Sequence, residues 1–455
     1  MTVLVDIYTD PARRTPDIAA GSTVLTAFCK TALIGAGLWF LAYMADNKGT
    51  PFMLLTIAVI SYVVAGASYK IQSQRLLKFL ARGSVPCTFG LLVLLNVFGL
   101  VGTLTGSWDT TVFSSSWLVA APFYFLSAGA FIADIADRRM EFPWPLDYLL
   151  YLALPFKLLA GPLEPPTLIA KIQRWKPRFS WVRLSAGWPW IVLGGFMKFV
   201  ISDRLVPNNW QMATDPLSVL VTAGTFELKF YFDFAGYSFI GFGLALFCGF
   251  HISRNFMSPF FAPNVVLFWR RWHMSLGRFL SRYILEPNVR AINGRTLRLI
   301  FTSAIFLVSA MWHGGTRNYA LWGMFHAACY YAYVNWIKHW KIPKPLGIMT
   351  MISFFVLGRL LASNANWPLL MTKLVNLADP AQWMAAFNHL QPISRLSIKT
   401  WAAIIPFLCL EGWSIRHYGT KRAYHLFRKP IPALVLLVLL LLLGKSSGVL
   451  LYARI

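Results

Sequence analysis

The chain has 455 residues, of which 57% are hydrophobic and 13% charged, and its mean hydropathy is +0.56. Soluble domains carry roughly a quarter of their residues as charges, so a string of soluble domains is excluded, and the unbroken apolar runs exclude a β-barrel, whose strands alternate. The formal net charge of +25 lies between apolar runs, where the positive-inside rule and anionic headgroups account for it; membrane lipid is a predicted partner and nucleic acid is not.

Residues 1–22 are too polar for a cleaved signal peptide and are predicted to stay in the cytoplasm, with 23–455 forming one all-α, polytopic transmembrane domain. The first spans are 23–44 and 52–69, each about the length a bilayer requires. The basic connection after them, with Lys70, Arg75, Lys78 and Arg82, is predicted to be cytoplasmic. Spans 86–104 and 112–135 follow, joined by TGSWDT on the outside, and Arg138 and Arg139 return the chain to the inside. Segment 145–166 is apolar but contains Pro155, Lys157, Gly161 and Pro162, and it is basic on both flanks. A crossing would put one basic flank outside, so a re-entrant segment is predicted; a helix kinked at Pro155 is the alternative.

The next span, 184–201, is interrupted by Gly194 and Gly195 and carries Lys198, and the polar loop after it faces outward. The run 217–250 contains Glu227, Lys229 and Asp233, together with the small residues Ala235, Gly236, Ser238, Gly241 and Gly243. Charges inside a span face an interior cavity, and small residues let helices approach closely. Segment 268–298 mixes apolar residues with Arg270, Arg271, Arg278, Arg282, Arg290, Arg295 and Arg298, and is predicted to be a second re-entrant or interfacial element on the cytoplasmic side. Further spans are 299–312, 319–337, 346–361, 398–413 and 431–451; 368–388 is amphipathic and predicted to lie in the interface, and 416–428 is basic and cytoplasmic. The five cysteines lie in or beside apolar segments without a paired spacing and read as small core residues. No transporter-type repeat, phosphate-binding loop or metal motif is present in the sequence.

Of the eight histidines, two stand in settings that suggest chemistry. His313 ends an apolar run and is followed by Gly314 and Gly315, which allow the backbone to turn and a ligand to come close, while Trp312 supplies a wall. A buried neutral imidazole there is either a general base or a satisfied core residue. His273 follows Arg270, Arg271 and Trp272, a setting for an anionic thioester carrier or phosphate, or simply for lipid headgroups. His326 is either a structural hydrogen-bonding residue or a partner to the site.

FDFAGYS (232–238), NFMSPFF (255–261), FWRRWHMSL (268–276) and MWHGGTRNYALWGMFHA (311–327), in that order, resemble the membrane-bound O-acyltransferase (MBOAT) family. Upstream, AGPLEPP (160–166) and GGFMKFVISDRL (194–205) resemble two further family segments, so the likeness covers a motif core of 155–333. It is nearest to the bacterial branch that acylates cell-envelope polymers, which includes alginate O-acetyltransferase-like and teichoic acid D-alanyl transferase-like members. FWRRWH favours the acetylating type, whereas FDFAGYS and WHMSL suit the D-alanyl type; EPNVRAINGR (286–295) stands where the acetylating type carries a GGNR-like run.

The resemblance implies a ring of about 11 transmembrane helices with re-entrant segments around a central tunnel, in the cytoplasmic (inner) membrane. It implies His313 and His273 as the catalytic residues, His313 for the proton transfer and His273 beside the donor in the cytoplasmic part of the tunnel. Trp312, Gly314, Asn318, Arg270, Arg271, Trp272, Ser275, Asp233, Tyr237 and His326 are the candidate substrate-binding or tunnel residues. The backbone near Gly314, the Trp312 indole and Asn318 are alternative oxyanion stabilisers. No bound cofactor or metal is implied. The donor is an acyl thioester on acetyl-CoA or an acyl-carrier protein at the cytoplasmic side, and the acceptor is a hydroxyl presented outside, directly or through an acyl-relaying partner protein. Acetyl transfer leads and D-alanyl transfer is second. A transporter or flippase using Glu227, Lys229 and Asp233 as its path, or a non-catalytic scaffold, are the readings from other classes.

Overall fold

In lipid, an apolar chain can satisfy its own backbone only as helix or closed barrel, and this chain takes the first route. A computed structural model describes residues 22–45, 50–105, 121–158, 161–205, 214–289, 292–313, 317–362, 367–388 and 398–444, and the regular structure among them is helical throughout. Residues 1–21, most of the TGSWDT loop with the start of the fourth span (106–120), Arg290, Gly314 and the side chains of Trp312 and His313 lie outside the described residues. Five described helices are long and apolar enough to cross a bilayer, and a bent pair, Thr420–Arg428 with Pro430–Leu443 at 69°, adds a sixth if it is one span.

Helices α1 (Ser22–Ala45) and α2 (Thr50–Lys70) agree with the first two predicted spans. The third differs. Instead of a basic connection followed by a span, α3 is one helix, Gln74–Thr105, with Pro86 inside it. Its 32 residues extend about 48 Å, well beyond a ~30 Å hydrocarbon core, so its first turns carry Arg75, Lys78 and Arg82 out of the apolar zone without ending the helix. Helix α4 is Ala121–Ala136.

The segment with two basic flanks doubles back. Helix α5 (Pro145–Ala153) stops at Leu154, which is extended because the following Pro155 disfavours the helical region, and α6 (Pro155–Leu158) begins there. The Tyr151 hydroxyl donates to the carbonyl of Glu164 at 2.8 Å, and Lys157 Nζ donates to the Tyr151 carbonyl at 3.0 Å and to Ser127 Oγ at 3.1 Å. Irregular backbone is therefore buried in protein, as depth in a membrane demands. Helix α7 (Leu168–Gln173) follows.

Helix α8 (Trp181–Gly195) runs through Gly194 and Gly195 without interruption and widens into a π-helical turn, Phe196–Ile201. The glycines serve contact instead. On α9 (Pro216–Cys248), Gly236 and Gly243 face Gly194 and Gly187 backbone to backbone: a Cβ on Gly194 would stand 2.4 Å from the Gly236 carbonyl, and one on Gly243 2.6 Å from the Gly187 carbonyl. Asp215 caps α9 by accepting from Ser218 N at 2.8 Å, Pro216 opens it, and Gly249 at φ 86° closes it.

Short helices α10 (Val265–Trp269), α11 (Met274–Leu280) and α12 (Glu286–Val289) occupy the arginine-rich segment, with a π-helical turn at Ser281–Leu285. They lead into α13 (Arg295–His313), α14 (Arg317–Asn335) and α15 (Lys344–Ala362). The amphipathic stretch expected at the interface forms α16 (Trp367–Ala378) and α17 (Pro380–Asn388), which rest on protein: Leu370 packs with Val219, Ala223 and Leu360, and Asn376 Nδ2 donates to the Thr214 carbonyl at 2.9 Å. Helices α18 (Ile398–Tyr418) and α19 (Pro430–Leu443) complete the described chain.

Basic segments far apart in sequence meet at one end of this bundle. Arg138 donates to the Tyr69 carbonyl at 2.7 Å, Arg282 pairs with Asp134 at 2.9 Å, and Lys171 and Arg254 donate to the carbonyls of His251 and Lys421 at 3.4 and 3.5 Å.

Candidate active site

A knot of short polar contacts joins four of the sequence motifs. The Ser275 hydroxyl donates to Asn255 Oδ1 at 2.5 Å and accepts from Leu163 N at 3.0 Å, and Asn255 Nδ2 donates to Ser238 Oγ at 3.0 Å. Main-chain bonds from Met274 N to Asn255 O (2.8 Å) and from Met257 N to Arg271 O (3.0 Å) tighten it. The turn so held places His273 at φ 43°, a left-handed backbone that non-glycine residues seldom adopt. Its ring lies edge-on to Phe234 at 4.9 Å and beside Phe123 at 6.2 Å. Trp272 next to it is buried among Phe256, Phe268 and Phe230.

His273 faces a cavity of about 510 Å³ between α9, the α10–α11 turn, α13, α14 and α15. Each long helix presents one face at helical spacing: Glu227, Phe230 and Phe234 on α9; Thr302, Ile305, Phe306 and Ser309 on α13; Tyr319, Trp322, His326 and Tyr330 on α14; Phe355, Gly358, Arg359 and Ala362 on α15. Position 313, one turn past Ser309, continues the register of the α13 face. The two ends differ. Arg270 and Arg278, both exposed, stand at one. The other holds a buried ion pair, Arg359 Nε to Glu227 Oε2 at 2.7 Å, with the Arg359 guanidinium 4.5 Å from the Phe230 ring centre.

Of the predicted tunnel residues, Arg270, Trp272, His273 and His326 line this cavity. Arg271 turns aside and donates to the Phe261 carbonyl at 3.2 Å, and Ser275 belongs to the polar knot behind the wall. Asp233 and Tyr237 lie outside the cavity lining: Lys198 Nζ bridges Asp233 at 2.5 Å and Asp203 at 2.6 Å, and sits 5.1 Å from the Tyr237 ring centre. Asn318 is buried in the first turn of α14 and is not in the lining. Glu227, Lys229 and Asp233 do not form one charged path, since Glu227 is paired toward the cavity and Asp233 away from it.

Sequence reasoning did not single out Arg359 or Gly358. Arg359 had a signal: it is the one cation within the predicted span 346–361, and a charge at such depth needs a partner. Gly358 had none, because its close approach to His326 appears only when α14 and α15 pack together.

Helices throughout the described residues, apolar spans, an interior cavity and a histidine at a left-handed turn beside arginines define a membrane protein built around a buried cavity. Residues 40–358 match the membrane-bound O-acyltransferase family, and the chain belongs to that family. It is 28% identical over 229 residues to the peptidoglycan O-acetyltransferase of Helicobacter pylori, covering 47% of this chain and 43% of that protein. It is 27% identical over 230 residues to the teichoic acid D-alanyltransferase of Bacillus subtilis, covering 46% and 58%. A shorter stretch of 104 residues is 38% identical to a probable alginate O-acetylase of Pseudomonas aeruginosa, covering 22% and 19%. The chain thus spans at most about half the length of most curated relatives it matches.

Proposed function

We propose that the protein transfers an acyl group, acetyl in preference, from a cytoplasmic-side thioester to a hydroxyl of an extracytoplasmic polysaccharide or other envelope polymer, in the cytoplasmic membrane. The observation that carries the reading is the cavity, which has exposed arginines at one end and the face of α13 leading toward position 313 at the other. On this reading residues 23–455 form the transmembrane ring of about 11 helices expected of the family, with a tunnel through it.

The reaction follows from the donor and the residues. The acceptor hydroxyl attacks the thioester carbonyl, a carbon–oxygen bond forms and the carbon–sulfur bond breaks. His313 takes the hydroxyl proton and returns it to the departing thiolate, help worth about 10²–10⁴-fold. Arg270 and Arg278 attract the anionic part of an acetyl-CoA or acyl-carrier donor. A partner protein outside accepts or relays the acyl group. D-alanyl transfer is the second reading, supported by a similarity to a D-alanyltransferase over 230 residues that covers 58% of that protein. Mass spectrometry of envelope polymers with and without the protein separates the two: acetyl units are expected to be lost, and alanyl units would replace the first reading with the second. His313→Ala, expressed at matched level, is expected to lower incorporation by at least about 10²-fold; wild-type incorporation would refute the mechanism.

A further inference from the structure

His326 is 5% exposed, faces the cavity, and has no hydrogen-bond partner on either ring nitrogen among the described residues. Native structures seldom leave a buried polar side chain so; ordered water or a bound group completes it. Four rings hold the imidazole in place: Phe354 at 4.7 Å, Trp322 at 4.8 Å, Trp269 at 5.2 Å and Phe325 at 5.5 Å, all near edge-on. On the remaining side is Gly358, where an added Cβ would lie 3.1 Å from Nε2. The site is an imidazole enclosed by rings, with Nε2 set against Gly358 at the cavity wall, where any side chain on residue 358 would press on it.

Its depth decides what it meets. Gly323 of α14 packs on Leu307 and Ala310 of the antiparallel α13. His326, three residues on, is therefore level with about residue 305, roughly 12 Å along the axis from position 313 at 1.5 Å per residue. One imidazole cannot touch a carbonyl under attack that far away. It lies instead between the exposed arginines and position 313, on the route a donor would follow.

We propose, on the acyl-transfer reading above, that His326 hydrogen-bonds an amide of the donor's thiol-bearing arm and so fixes how far the thioester reaches. An arm of pantetheine type suits the site: its methylenes match the aromatic walls, and an amide can pair with one ring nitrogen of the imidazole, through its N–H or its C=O according to the tautomer. Coenzyme A and a carrier protein share this arm, so His326 serves either. It is a positioning residue and takes no part in the proton transfer.

The test uses the full chain in proteoliposomes, with three acyl donors: acyl-coenzyme A, acyl-carrier protein and an amide-free alkyl thioester. His326→Phe keeps the ring and removes the hydrogen bonds; His326→Asn keeps hydrogen-bonding capacity; Gly358→Ala shields Nε2 while leaving the histidine. For His326→Phe and Gly358→Ala, KM for an amide-bearing donor is expected to rise about tenfold with kcat within twofold, as loss of one buried hydrogen bond implies. For the amide-free donor KM should not move, and His326→Asn should recover part of the loss. Equal loss on amide-bearing and amide-free donors, or no loss on either, overturns the proposal. A response to one amide-bearing donor alone identifies the source of the arm. Direct binding of a non-hydrolysable coenzyme A thioether to the purified variants is independent of turnover: weakening by His326→Phe without any acyl transfer by the wild type would reject the acyl-transfer reading and keep this one, whereas unchanged binding rejects this one.

Discussion

Arg359 and Glu227 stand 2.7 Å apart with side chains only 9% and 10% exposed, at the end of the cavity opposite the exposed arginines. Two charges taken out of solvent are stable only together, and removing one leaves the other uncompensated at a cost of about 3–5 kcal/mol. Arg359→Met and Glu227→Gln are each expected to lower the thermal unfolding temperature in detergent clearly, and the double variant to recover most of the loss. Losses that simply add would show that the two residues act independently. The same logic explains which charges the sequence could assign. Glu227 and Asp233 announce themselves as charges within an apolar run, but their partners are distant in the chain: Glu227 finds Arg359 and Asp233 finds Lys198. Spacing along one helix cannot reveal which face turns to which neighbour. The arginines beside His273 single it out in the sequence, whereas its left-handed backbone depends on bonds from Asn255 and could not be read there.

At the scale of elements, what could be read was whatever the hydrophobic pattern or a proline enforces. The doubling-back at Leu154 and Pro155 follows from two basic flanks and one proline, and it was legible. The π-helical turns at Phe196–Ile201 and Ser281–Leu285 were not, since one extra residue per turn hardly disturbs an apolar run. The first of them continues α8 beyond the glycines and brings Lys198 between Asp203 and Asp233. Glycines 187, 194, 236 and 243 set the α8–α9 approach on which this depends, by contact instead of by conformational freedom. Gly194→Ala puts a methyl 2.4 Å from the Gly236 carbonyl and must move a helix backbone. A loss of about 1–3 kcal/mol is expected, as for overpacked cores, read as a lowered unfolding temperature. Gly35→Ala, where an added Cβ meets nothing within 4 Å, is the control and should be neutral or slightly stabilising. If both variants unfold alike, the close approach is not what α8 and α9 need.

At the scale of the whole molecule, the positive charge has a direction. The contacts Arg138–Tyr69, Arg282–Asp134, Lys171–His251 and Arg254–Lys421 gather basic segments from across the chain at one end. That end also carries Arg270 and Arg278 at the mouth of the cavity, because Ser275 and Glu164 tie the α10–α11 turn to the loops after α6 and α9. The start of α9 belongs to the opposite end, since its 33 residues extend about 50 Å from the end that carries His251 and Arg254, and Thr214 there is held by Asn376 of α16. Lys and Arg near helix ends orient a membrane protein with those ends in the cytoplasm. The arginine mouth should therefore open inward and the Glu227–Arg359 end outward. In a cysteine-free background, Asn293→Cys beside α13 and Ala381→Cys in α17 both lie at exposed positions. A membrane-impermeant maleimide is expected to label Ala381→Cys in right-side-out vesicles and Asn293→Cys only in inverted ones. The reverse pattern would place the arginine mouth outside, where no intracellular thioester could reach it, and would refute the donor path. Labelling of both from one side would mean that the α13–α15 region does not separate the two faces of the membrane.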